Sequence, residues 1–82
     1  MTTVNHPTDR LNFTKVRTVR ATLYFSYETL VAFHTPESGL IVRENHWGTT
    51  TGKHLNYIDG GNKKNRVSAS KFTELAQRYE VD

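Results

Sequence analysis

An α+β fold, in which a small antiparallel sheet of about three strands carries a short helix and a C-terminal amphipathic helix, follows from three features of this 82-residue chain. Residues from Val19 to Tyr27 alternate with period two, Leu30 to Asn45 reads as strand, turn and strand, and apolar residues recur at helical spacing from Ala69 to Tyr79. A chain of this length buries only about 60–65% of its unfolded surface, which supports one modest core. The expected organisation is a flexible arm over 1–12 and a single α+β domain over 13–82.

Residues 1–12 are polar, contain Pro7 and show no period, which predicts the arm. From Val19, the residues Val19, Ala21, Leu23, Phe25 and Tyr27 alternate with Arg20, Thr22, Tyr24 and Ser26, the pattern of a half-buried strand, with Phe25 and Tyr27 assigned to the core. Leu30 to His34 is a short continuous apolar run, as in a central strand. Thr35-Pro36-Glu37-Ser38-Gly39 supplies turn chemistry, with Gly39 free to adopt a left-handed conformation. Leu40, Ile41 and Val42 then complete a hairpin. Consecutive threonines suit a helix start, Leu55 and Ile58 lie three apart, and Gly60-Gly61 provides a stop, so a short helix is predicted from about Thr51 to Asp59. Residues 62–65 read as a polar loop. In the last segment Ala69, Phe72, Leu75, Ala76 and Tyr79 form one apolar face, Ser68 is positioned as N-cap, and Glu74 with Arg78 makes an i,i+4 pair.

Net charge is +3, from eleven Lys and Arg against eight Asp and Glu, and it is concentrated in two basic stretches on either side of a mildly acidic centre. That distribution suits an anionic partner if the basic stretches converge in space, and ordinary solubilising charge if they do not. With no cysteine, neither disulfides nor a thiolate zinc site is available. No apolar run approaches the roughly 20 residues of a membrane span, and the N-terminus lacks the apolar core of a secretory leader. The expected location is the cytoplasm, with no membrane partner.

Unusual chemistry is densest in Arg43–Tyr57, which holds the single Trp and the run Gly48-Thr49-Thr50-Thr51-Gly52-Lys53-His54. A nucleotide-binding P-loop is excluded, because only three residues separate the glycines and His54 replaces the magnesium-binding hydroxyl. Two readings remain: the threonines cap a helix, or their hydroxyls join free backbone N–H groups, Lys53 and His54 to hold a phosphate or carboxylate. The candidate anion or nucleic-acid set is therefore Thr49, Thr50, Thr51, Lys53 and His54 with the basic residues Lys63, Lys64 and Arg66. Trp47, outside any alternation, and Arg43 are the candidate partner-binding residues. The histidines match no zinc spacing and no local catalytic arrangement relates Ser, His and Glu, so neither enzyme activity nor a metal or other cofactor is expected.

Tyr27-Glu28-Thr29-Leu30-Val31-Ala32-Phe33, Val42-Arg43-Glu44-Asn45, Trp47 with Thr49-Thr50-Thr51-Gly52-Lys53-His54-Leu55-Asn56, and Arg66-Val67-Ser68 with Phe72 together resemble a family of small uncharacterised proteins found mainly in bacteriophage and archaeal genomes. The resemblance spans about Ser26 to Leu75 and departs from the family pattern at Leu30. It implies a phage or mobile-element origin and a small accessory protein that acts by binding, either to nucleic acid or, as an inhibitor or adaptor, to a host defence or replication protein.

Overall fold

The computed structural model describes residues 3–5 and 12–81. Five strands, β1 (Thr3–Asn5), β2 (Phe13–Arg17), β3 (Thr22–Ser26), β4 (Thr29–Thr35) and β5 (Gly39–Val42), form one sheet in chain order, each antiparallel to the next. Two α-helices follow, α1 (Thr49–Asp59) and α2 (Ala69–Arg78), joined through a short 3-10 turn at Lys63–Asn65. The α+β class agrees with expectation, but the sheet has five strands where about three were expected. The additions are β1 and β2. Thr3–Asn5 falls inside the segment expected to be an arm, yet it pairs with β2; Met1, Thr2 and residues 6–11 of that segment lie outside the described residues.

Register assigns each strand position to a face. Lys15, Tyr24, Ala32 and Val42 are cross-strand partners on one face, and Val16, Leu23, Phe33 and Ile41 are partners on the other. Leu55 and Ile58 of α1 pack with Tyr24, Ala32 and Val42, whereas Phe72, Leu75 and Ala76 of α2 pack with Leu23, Phe33 and Ile41. The helices therefore cover opposite faces, which explains the unbroken apolar run in β4: a strand covered on both sides needs apolar residues in both phases. Between the pairs Tyr24↔Ala32 and Phe25↔Leu30, β4 carries one additional residue, Val31. This bulge places fully buried Val31 in the cluster beneath α1.

The chain leaving β5 continues along the sheet edge. Arg43 bridges Val67 in parallel, Val67 N–H donates to the Val42 carbonyl at 2.8 Å, and Glu44 N–H donates to the Val67 carbonyl at 2.8 Å. The link between the helices thus shields the otherwise open edge of β5.

Two boundaries differ from the alternation. Val19 is 87% exposed, because Thr18 to Ala21 form a turn in which the Thr18 hydroxyl accepts from the amides of Arg20 and Ala21 at 3.2 and 3.0 Å. Tyr27, expected in the core, is exposed in the β3–β4 turn at φ 58°, and its N–H reaches the Asn12 carbonyl at 2.6 Å. Strand period alone does not say where a turn rotates the next side chain outward. Gly39 takes φ 68° in the β4–β5 turn, as expected. Ser68 caps α2 by accepting from the Lys71 amide at 3.3 Å, and the Glu74–Arg78 pair is exposed at 3.5 Å, a geometry of little energetic consequence. Among the described residues no helix is long and apolar enough to cross a membrane.

Candidate functional site

Helix α1 begins at Thr49, two residues before the expected start, and its N-cap is Gly48 in an extended conformation. The threonines therefore do not cap it. Asn45 shapes the approach instead: its Oδ1 accepts from the Trp47 amide at 2.9 Å and its Nδ2 donates to the Gly48 carbonyl at 3.4 Å. Gly52 lies close against this turn: a Cβ there would stand 3.1 Å from Asn45 Nδ2, so the Asn45 side chain would have to give by a few tenths of an ångström. The first turn of α1 has no side-chain cap and no acidic residue, and Thr49 and Thr50 are exposed on it.

Thr51 and His54 turn the other way. Both are buried, and both meet Ser26 of β3: the hydroxyls of Ser26 and Thr51 lie 2.9 Å apart, and Ser26 Oγ lies 2.7 Å from His54 Nδ1. The imidazole stacks on Phe13 with centroids 5.2 Å apart and lies 6.3 Å from the Tyr27 ring. Spacing of three and four along α1 puts Thr51, His54 and Leu55 on the sheet-facing side, which removes Thr51 and His54 from any surface anion site. A hydroxyl–imidazole contact of this length also suits a nucleophile and base, but this one is sealed in the interior and has no access to a substrate. Its role is to satisfy buried polar atoms between helix and sheet. Ser26→Ala should cost about 1–3 kcal/mol, read as a lowered urea midpoint, because it removes the shared hydroxyl partner; an unchanged midpoint would show that Thr51 and His54 are satisfied without it.

Arg66 is likewise internal. Its Nε donates to Asp59 Oδ2 at 2.8 Å, and its Nη2 donates to Asp59 Oδ1 and Asn56 Oδ1, each at 3.0 Å. The two charged side chains are 4% and 7% exposed. Hydrogen bonding from Arg66 chiefly, helped by the Gly61 amide, holds the Asp59 carboxyl below its ordinary range against the opposing effect of burial. Arg66 thus braces the end of α1, with Nε and Nη2 committed to Asp59 and Asn56 and the side chain 4% exposed. Lys53, Lys63 and Lys64 remain exposed. Lys63 lines a cleft of about 370 Å³ with Glu44, Asn45, Gly52, Asn56 and Arg66, so the structure brings it to the side of the turn that precedes α1.

Trp47 is 40% exposed, and the Arg43 guanidinium lies 4.6 Å from its ring centre and 5.9 Å from that of Phe72. Arg43 Nε is buried without a hydrogen-bond partner among the described residues. The cation is therefore held between an interior ring and an exposed one and props Trp47 at the surface. Reasoning from sequence missed Ser26, Asn45 and Phe13; only Phe13, apolar at the head of a β-branched stretch, left a trace in the local pattern. Among the described residues no cluster of three or more His, Asp or Glu could hold a metal ion.

The family model for "Family of unknown function (DUF8033)" matches residues 1–74, and the chain belongs to that family. No curated protein and no solved structure matches it.

Proposed function

We propose that this is a small non-enzymatic binding protein, of the accessory kind common in phage and mobile elements, that contacts nucleic acid through the N-terminal mouth of α1 and the lysines around it. The observation that carries the proposal is the open first turn of α1, where amides without a side-chain cap, the exposed hydroxyls of Thr49 and Thr50, and the absence of acids favour an anion. Lys53 on the second turn and Lys63 and Lys64 beyond α1 add positive charge, while Thr51, His54 and Arg66 support the scaffold.

Salt dependence tests the proposal. Neutralising phosphates with Lys53, Lys63 and Lys64 releases about three counterions, which gives a log–log slope of about −2.1 for a single strand to about −2.7 for a duplex. Affinity for a labelled oligonucleotide, followed by fluorescence anisotropy, should fall about twenty- to fortyfold between about 50 and 200 mM salt. Lys53→Ala should weaken binding and reduce the slope by about 1. A flat salt response, or no binding at physiological salt, would remove the proposal.

The exposed Trp47, stacked on Arg43, favours a second reading, in which an inhibitor or adaptor docks on a host protein with Trp47 as its aromatic anchor. This reading requires binding to the host protein that tolerates salt and is lost in Trp47→Ala.

A further inference from the structure

Helix α1 leaves part of its own face of the sheet uncovered. On that face Lys15 pairs with Tyr24, and Arg17, Thr22 and His34 lie in register beside them. Arg17 and His34 are exposed, and Lys15, Thr22 and Tyr24 are partly so. Tyr57, 50% exposed on α1, forms a wall beside this floor. Phe13 holds both tyrosines in place, with centroids 6.2 Å from Tyr24 at a 13° interplanar angle and 5.5 Å from Tyr57 at 82°. Lys53 lies one turn before Tyr57 on the same side of the helix.

Two details characterise this surface. The Lys15 ammonium sits over the Tyr24 ring, 5.7 Å from its centre, so the part of the ring not packed against Phe13 and the core beneath α1 is met by a cation. No acidic residue occurs in β2, β3, β4 or β5, and the single acid of α1, Asp59, is bound to Arg66. Basic side chains interleaved with flat rings and free of acids complement a polyanion whose bases are unpaired; a duplex would offer phosphates alone and leave the rings unused.

We infer that the sheet floor beside α1 is a landing surface for single-stranded nucleic acid, on which bases stack against Tyr24 and Tyr57 while Lys15, Arg17 and Lys53 meet the phosphates. A base that settles on Tyr24 displaces the Lys15 ammonium, which is then free to pair with the adjoining phosphate. The inference rests on the nucleic-acid reading for its class of partner and for Lys53, and makes no use of the mouth of α1.

The test compares a labelled oligothymidylate of about ten nucleotides with a hairpin duplex of similar charge, by anisotropy at low salt. The single strand should bind more tightly. Tyr57→Leu and Tyr24→Leu, which keep an apolar contact with Phe13, should each weaken single-strand binding about tenfold, whereas Lys71→Ala, exposed on α2 across the sheet, should change it by less than about twofold. Amide shifts of the wild-type protein provide a readout independent of variant folding: Lys15, Arg17, Tyr24 and Tyr57 should move with the oligothymidylate. Preference for the duplex, or wild-type affinity in folded Tyr57→Leu, would overturn the inference. So would shifts confined to Thr49, Thr50, Lys63 and Lys64, although the nucleic-acid reading itself would then stand. Absence of any binding would remove both.

Discussion

Phe72→Ala will destabilise the protein by about 3–5 kcal/mol, the range for truncating a buried aromatic ring. Phe72 is almost fully buried, and its ring lies 5.5 Å from that of Phe33, itself wholly buried at the middle of β4. Helix α2 reaches the sheet through Phe72, Leu75 and Ala76, so the ring is a large share of what holds the helix down. Stability of about 0.05–0.15 kcal/mol per residue leaves a domain of this size little reserve, and the variant should be substantially unfolded or shifted to a much lower urea midpoint. Arg43 would lose one of its two ring contacts, which loosens Trp47 as well. Thr73→Ala, on the exposed side of the same helix, should stay within about 0.5 kcal/mol of wild type. Equal midpoints for Phe72→Ala and wild type would contradict the packing of α2 on the sheet.

Arg66→Ala is expected to cost about 3 kcal/mol near neutral pH, because it leaves the Asp59 carboxylate covered and without its cation. The pH dependence identifies the cause. The folded carboxyl titrates below its unfolded value, held there mainly by Arg66. The stabilisation linked to that shift is therefore complete above the unfolded value of about 3.9, and is lost as pH falls through the lower folded value. Wild type and Arg66→Ala should differ most near pH 7 and converge in strong acid, followed by thermal unfolding across the acid range. A gap that stays constant down to the lowest pH would assign the loss to packing of the Arg66 side chain rather than to its charge.

Where local chemistry decides, the sequence was readable. Helix α2 was legible from its apolar spacing and from Ser68, because a helix face and its cap depend on residues only three or four apart. The β4–β5 hairpin was legible from its turn chemistry and from the doubly apolar strand. Trp47 stood outside every period and does lie at the surface. By contrast β2, Phe-Thr-Lys-Val-Arg, is too short and too basic to announce itself, and what makes it a strand is pairing with β1 and β3.

The candidate site divided along the same line. By itself the sequence determined which residue types gather around α1: threonines, a lysine, a histidine and an exposed tryptophan within one short stretch. Tertiary structure alone decided which of them face out. Because Gly48 and not a threonine begins the helix, its phase sends Thr51 and His54 inward to a serine 25 and 28 residues away and leaves Thr49 and Thr50 outside. Arg66 meets Asp59 across the 3-10 turn, and Lys15 comes beside Tyr24 only when β2 pairs with β3. Spacing can record contacts within one turn or one strand, but contacts made by chain reversal appear only once the sheet has closed, since their energy depends on partners that no local pattern names.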